Sequence, residues 1–202
     1  HNLRIADVDG DGFDEITYGS MAVDHDGTGL YNTRFGHGDS MHLTVFDPTS
    51  EALQVWDCHE NRRDGSDFRD ARTGKVIFQI KSNEDVGRCM AADIDPTNPG
   101  VEMWSSESGG IRDLKGNVVK PKNAQPSHSF LPCNFGIWWD GDLLREMLDH
   151  ESVSKYDWNT GGVNTVCRFE GTQFNNGTKS NPNLCADIIG DWREEVLTRN
   201  RE

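Results

Sequence analysis

Short apolar runs separated by Gly- and Asp-rich turns dominate the chain. Ile16-Thr-Tyr18, His42-Leu-Thr-Val-Phe46, Leu53-Gln-Val-Trp56 and Lys75-Val-Ile-Phe-Gln-Ile80 read as strands. Asp47-Pro48, Asp64-Gly65 and Thr73-Gly74 supply turns between them. One stretch conflicts with this pattern. Leu143, Leu144, Met147 and Leu148 have helical spacing, and Asp140 could cap a helix there. The repeat described next demands a strand instead, and a strand is expected.

Asp47-Pro-Thr-Ser-Glu-Ala-Leu-Gln-Val-Trp56 aligns with Asp95-Pro-Thr-Asn-Pro-Gly-Val-Glu-Met-Trp104, 48 residues later. Asp9 lies 38 residues before Asp47, and Asp140 and Asp187 continue the register. A period of roughly 40–50 residues with several short strands per unit is the signature of propeller blades. The expected fold is all-β, a partial β-propeller of about four blades in one domain, residues 1–202, with units near 1–40, 41–88, 89–135, 136–183 and 184–202. Four periods are too few to close such a ring, so the chain reads as an excerpt.

The repeat carries acidic loops. In the first, Asp7, Asp9 and Asp11 alternate, Gly12 follows and Glu15 closes. Carboxylates at alternate positions around a tight turn offer the hard oxygen ligands that Ca2+ prefers. An EF-hand is excluded, because its twelfth position would be Tyr18. A second copy keeps Asp93, Asp95 and Glu102 but has Thr97 for the third Asp; another keeps Asp187, Asp191 and Glu194 or Glu195, with Ile189 for the second. Asp24-His-Asp-Gly-Thr-Gly29 is a weaker candidate. The same residues also make ordinary solvated turns. Recurrence once per unit or two favours a structural clamp over a reaction centre.

A net charge of −14 argues against nucleic acid as a partner. No apolar run is long enough for a transmembrane helix, and a monomer is expected. The five cysteines have no zinc spacing and, being odd in number, no closed disulfide framework, so free thiols are expected.

The segments Gly29-Leu-Tyr-Asn-Thr33, Gly36-His-Gly-Asp-Ser-Met-His42, Val86-Gly-Arg-Cys-Met-Ala-Ala-Asp-Ile-Asp-Pro96, residues 134–151, Asn175-Asn-Gly-Thr-Lys179 and Gly190-Asp-Trp-Arg-Glu-Glu-Val196 resemble the rhamnogalacturonan lyases of polysaccharide lyase family 11 along essentially the whole chain. The resemblance implies an eight-bladed propeller, bound Ca2+, an extracellular or periplasmic location, and cleavage of the alternating rhamnose–galacturonic acid backbone of rhamnogalacturonan I. Such a lyase works by β-elimination: the uronate carboxylate is neutralised, a base removes the C5 proton, and the C4–O4 bond breaks. A metal ion on the carboxylate serves as Lewis acid.

The family motifs single out Lys179 or Arg88 as the base and His37, held between Gly36 and Gly38, as a further catalytic residue. Asn176, Gly177, Thr178, His42 and Asn134 are the expected substrate-binding residues, and Trp138 and Trp139 fit either a sugar platform or the core. Residues 120–132 are a candidate determinant of endo or exo cleavage. A rival reading is a non-catalytic, calcium-stabilised propeller that binds carbohydrate or protein. Against it stands the joint presence of G-H-G-D, V-G-R and N-N-G-T-K, which a scaffold alone has no reason to carry.

Overall fold

A computed structural model describes residues 3–121 and 131–200; most of the 120–132 segment thus lies outside the described residues. The chain is built from successive antiparallel meanders. The first sheet runs β1 (Leu3–Ala6), β2 (Glu15–Tyr18), β3 (Met21–Val23) and β4 (Gly29–Asn32). The second runs β5 (Met41–Thr44), β6 (Gln54–Cys58), β7 (Ser66–Asp70) and β8 (Val76–Ile80). The third comprises β9 (Cys89–Ala92), β10 (Glu102–Ser105), β11 (Gly110–Arg112) and β12 (Val118–Pro121), and the fourth β13 (Phe135–Ile137), β14 (Glu146–Asp149), β15 (Ser152–Asp157) and β16 (Gly162–Arg168). β17 (Thr172–Gln173) pairs with β20 (Arg199–Asn200), and β18 (Leu184–Ala186) with β19 (Glu195–Leu197). Each four-stranded sheet follows chain order without a crossover, and none closes on itself. No described helix is long and apolar enough to cross a membrane.

The stretch with helical spacing is a loop followed by β14. Met147 and Leu148 enter the core, while Leu143 is 86% exposed. Pairing with β13 and β15 overrides the local spacing, because a helix would leave those edge groups unpaired.

The cores lie between consecutive sheets. Val8 and Met41 meet Val55 and Ala71; Trp56 and Phe68 meet Cys89 and Met103; Met90, Trp104 and Ile111 meet Met147 and Tyr156. The two aligned tryptophans do the same job one unit apart. Trp56 donates its indole N–H to the Trp104 carbonyl at 3.1 Å, and Trp104 donates to that of Pro132 at 2.9 Å. Burying each indole while satisfying its single donor avoids the cost of an unpaired polar group. All five cysteines are free thiols.

The loop joining the first two strands of each unit repeats one clamp. Val8, Phe46, Ile94, Trp139 and Ile188 donate their backbone N–H to the side-chain oxygens of Glu15, Gln54, Glu102, Glu146 and Glu195. Backbone bonds also join successive loops: Val101 N–H to the Phe46 carbonyl, Arg145 to Asp93, and Glu194 to Trp138. The first strands of neighbouring sheets pack together, β1 on β5, β5 on β9 and β9 on β13.

Candidate active site

A cavity of ≈ 710 Å³ opens where these units meet, lined by His37, Asp39, Glu60, Arg88, Asn134 and Lys179 among others. Its size suits a small number of sugar units. Although the chain is strongly acidic overall, the lining gathers Arg4, Arg88, Lys179 and His37 against Asp39 and Glu60. That local reversal of charge favours an anionic ligand.

His37 sits in the crossing between the first two sheets. The segment is pinned from three sides: Ser20 Oγ donates to the Phe35 and Gly36 carbonyls, His59 Nδ1 lies 2.7 Å from the Gly36 carbonyl, and Glu60 N–H donates to the His37 carbonyl at 2.9 Å. His37 Nε2 faces Glu60 Oε2 at 3.4 Å. Gly38 is required sterically, since a Cβ there would lie 1.9 Å from the Cys58 carbonyl oxygen. Gly38→Ala is therefore expected to displace His37 and Asp39 and to lower catalysis by ~10²-fold, the scale of an ångström's misplacement. Thermal unfolding and turnover measured together will separate this from simple loss of fold.

Arg88, just before β9, donates to Asn134 Oδ1 and, at 2.9 Å, to the Thr178 carbonyl. Asn134 in turn donates to the Lys179 carbonyl at 2.8 Å and to Asp149 Oδ1 at 3.1 Å. Gly177–Lys179 forms a single 3-10 turn whose flanking residues, Asn176 and Ser180, both adopt left-handed backbone conformations. Gly177 and Thr178 thus contribute backbone, the Gly177 carbonyl accepting Ser180 N–H at 3.1 Å and the Thr178 carbonyl held by Arg88, and the turn aims Lys179 Nζ at Asp39, with which it forms an ion pair.

The structure brings together His37, Arg88, Lys179, Asn134 and Asn176. His42 is separated from them. It lies on β5, its Nε2 3.2 Å from the Cys89 carbonyl, and lines a second depression with Arg145 and Trp138. Burial, reinforced by the charges of Arg4 and Arg145, pushes its imidazole down to about 4. This corrects the sequence expectation: His42 lies within β5, whereas His37 lies in the crossing that precedes the strand, and the two line different depressions. Trp139 packs edge-on against Phe169 beside the fourth core, and Trp138 stacks under the Arg145 guanidinium at 4.8 Å. Neither lines the larger cavity. Asp39 and Glu60 escaped the sequence reading as site residues. Asp39 stood within G-H-G-D, whereas Glu60 reaches His37 only through the end of β6, which no local pattern announces.

The acidic loops lie apart from this cavity. Ligand atoms of Asp7, Asp9 and Glu15 lie within 4.8 Å of one another, and Asp11 clusters in the same way with Asp24 and His25. Asp7 accepts the N–H groups of Gly10, Asp11 and Gly12, which closes the turn. Glu15 Oε1 is buried without a hydrogen-bond partner, as are Asp93 Oδ1 and Asp95 Oδ2 in the third unit. Burial first, then the charges of Asp93 and Asp95, push Glu102 up to about 8 against the opposing backbone hydrogen bonds, and burial also raises Asp93. Crowded carboxylates with unsatisfied buried oxygens are the chemistry a hard divalent cation relieves, so these residues fit Ca2+. In the last copy Asp187 repeats the turn closure of Asp7, and Asp191 accepts from Arg193 N–H. The closing residue there is Glu195, not Glu194. Glu194 faces the neighbouring unit instead, accepting Trp138 N–H at 2.7 Å and lying 3.7 Å from Arg145.

Comparison with known proteins now adds to this geometry. The model of the C-terminal domain of rhamnogalacturonan lyase family 11 matches residues 1–202. The chain belongs to rhamnogalacturonan lyase family 11. Among curated relatives of the family, the rhamnogalacturonan endolyase YesW of Bacillus subtilis (strain 168) is 51% identical over 204 residues, covering 100% of this chain and 32% of YesW. The rhamnogalacturonan exolyase YesX of the same organism is 45% identical over 219 residues, covering 100% of this chain and 35% of YesX. The crystal structure of YesW superposes with a TM-score of 0.91 at 50% identity, over 100% of this chain and 33% of YesW. This family 11 chain thus spans about a third of the length of the curated relatives it matches.

Proposed function

We propose that the protein containing this chain is a polysaccharide lyase that cuts the backbone of rhamnogalacturonan I by β-elimination at C4 of galacturonate, leaving an unsaturated uronate. The observation that carries this reading is the convergence of His37, Arg88 and Lys179, contributed by separate units, on one cavity. Family membership and the names of YesW and YesX support the same substrate. A pectic polymer is met outside the cytoplasmic membrane, so the proposed location is extracellular or periplasmic. The in-order meanders with adjoining first strands support the reading of the chain as about half of an eight-bladed propeller.

The contacts suggest how the work is divided. A guanidinium does not deprotonate in proteins and presents a planar fork to a carboxylate. Arg88, anchored by Asn134 and the Thr178 carbonyl, is therefore assigned to the uronate carboxylate rather than to proton abstraction. His37 is assigned as the base, oriented by Glu60, and takes the C5 proton. Lys179, ion-paired with Asp39, is assigned as the acid that protonates O4 as the C4–O4 bond breaks and the C4–C5 double bond forms. The full-length protein incubated with rhamnogalacturonan I should release reducing ends together with the ultraviolet absorbance of unsaturated uronates. Reducing ends without that absorbance would indicate hydrolysis, and neither signal would indicate a binding module.

Ca2+ is proposed at Asp7, Asp9, Asp11 and Glu15, at Asp93, Asp95 and Glu102, and at Asp187 and Asp191 with Glu195. When bound there it supplies charge neutralisation that ties each turn. A chelator is expected to lower the thermal midpoint, since a ligand that binds only the folded state stabilises it. Asp9→Asn is expected to remove part of that chelator sensitivity while leaving the cavity residues in place; an unchanged response would dismiss calcium at this loop.

A further inference from the structure

The fourth unit keeps part of the acidic loop: Asp140 and Asp142 precede Glu146 as Asp9 and Asp11 precede Glu15, and Trp138 stands where the first loop has Asp7. Asp140, Asp142 and Glu146 gather their ligand atoms within 4.8 Å, as Asp7, Asp9 and Glu15 do. Here the Lys155 side chain enters the cluster. Its Nζ donates to Asp140 Oδ2 and, at 2.6 Å, to Asp142 Oδ2. It also lies 3.0 Å from Glu146 Oε1, an ion pair whose angle falls short of a hydrogen bond. Glu146 is fully buried and Lys155 is 22% exposed, so this is not a loose surface pair. Two of the ammonium's three N–H donors thus go to Asp140 and Asp142, and its charge also faces Glu146.

Strand register explains where this lysine comes from. Continuing the pairing of Met147 with Ser154 by one step sets Glu146 opposite Lys155. The same step sets Glu15 opposite Asp24 in the first sheet and Glu102 opposite Asp113 in the third. A position that is acidic in those units is thus cationic in the fourth. The second unit differs in another way: its clamp is the uncharged Gln54, which still accepts Phe46 N–H at 3.0 Å. The clamp itself therefore needs only an oxygen. Where the carboxylate is kept, its charge needs a partner.

We propose that Lys155 is the resident cation of the fourth loop, its ammonium standing between Asp140, Asp142 and Glu146 as a divalent cation would stand between Asp7, Asp9 and Glu15 in the first. The comparison with the first loop rests on the calcium reading above; the occupation of the fourth by Lys155 does not. Two consequences follow. This loop takes no Ca2+ in the wild type, and removing the ammonium uncovers a latent divalent-cation site. Lys155→Asp would copy the first unit, and Lys155→Met would empty the cluster while keeping the aliphatic stem.

The test uses the full-length protein, with Ca2+ per chain measured after gel filtration and thermal midpoints recorded in chelator and in excess Ca2+. Each Lys155 variant is expected to bind one more Ca2+ per chain than wild type, to melt earlier than wild type in chelator, and to recover when Ca2+ is added. Asp140→Asn is expected to leave the wild-type count unchanged and to abolish the gain in the Lys155→Met background. Variants that fold yet bind no additional Ca2+ overturn the proposal. So does a lowered Ca2+ count in Asp140→Asn alone, because the loop would then hold the ion with Lys155 present. If Asp9→Asn leaves the count unchanged while Lys155→Met gains an ion, the first-loop reading fails and the assignment of Lys155 stands.

Discussion

Lys179→Ala is expected to lower the release of unsaturated uronate from rhamnogalacturonan I by about 10²–10⁴-fold, the usual contribution of a positioned acid or base. The expectation follows from how much of the molecule is arranged around this side chain. Asn134 holds its carbonyl, Arg88 holds the preceding one, and Asp39 receives its ammonium. None of these contacts anchors a core, so the variant should unfold at the wild-type temperature. His37→Gln is expected to share the loss and, in addition, to abolish exchange of the galacturonate C5 hydrogen with solvent, which Lys179→Ala should retain. The reverse pattern would move the base assignment to Lys179. A near-wild-type rate in Lys179→Ala would remove that residue from the chemistry altogether.

The largest effect on stability is expected at Arg69, on β7. Its guanidinium is completely buried and lies 2.8 Å from Asp67 and 3.2 Å from Asp57, with a further bond to the Gly19 carbonyl. His59 completes the group, Nε2 at 2.7 Å from Asp67 and Nδ1 at 2.7 Å from the Gly36 carbonyl. Both ring nitrogens face acceptors, so the ring is held as imidazolium, and two cations balance two carboxylates. Arg69→Met leaves two buried carboxylates facing one cation and should cost about 3–5 kcal/mol, the range for breaking a buried pair from one side. Urea midpoints will measure it, and a loss below ~1 kcal/mol would mean that water reaches the network.

The same midpoints should depend on pH. Burial alone would pull the His59 imidazole down, but the hydrogen bond to Asp67 and the charges of Asp57 and Asp67 outweigh it and raise it above its ordinary value of 6.5. Burial, above all, raises Asp57 despite Arg69. Both directions have the same sign: the fold binds protons more tightly than the unfolded chain. For His59 the stabilisation is complete below the ordinary imidazole range and is lost as pH rises through its elevated value; for Asp57 it is complete only below the ordinary carboxylate range and is lost as pH rises through the elevated value there. Because His59 also grips the Gly36 carbonyl, loss of its proton reaches the segment that carries His37.

The meanders and their period were legible because turn residues and apolar alternation are local. The aligned Trp56 and Trp104 fall at the same place in successive sheets, and of the stretch from Leu143 to Leu148, expected as a strand against its helical spacing, the second half forms β14. The convergence of His37, Arg88 and Lys179 came from family motifs, since nothing in spacing brings residues from separate units to one cavity. What stayed hidden depended on partners across strands or between units. Lys155 looks like any exposed strand lysine until the register sets it against Glu146. Glu194 and Glu195 are indistinguishable as neighbours in sequence, and only the clamp on Ile188 identifies the closer. Arg69 and His59 gave no signal, because a buried charge is recognised by its neighbours alone.

The loop-to-loop bonds from Val101 to Phe46, Arg145 to Asp93 and Glu194 to Trp138 act as a zip fastener. A middle sheet cannot swing out alone, because parting it from either neighbour exposes an amide and a carbonyl that had been shielded together. Among the sheets these bonds join, the third and fourth are fastened on both sides, so the third, which Arg88 leads into, can part only when two such pairs break together.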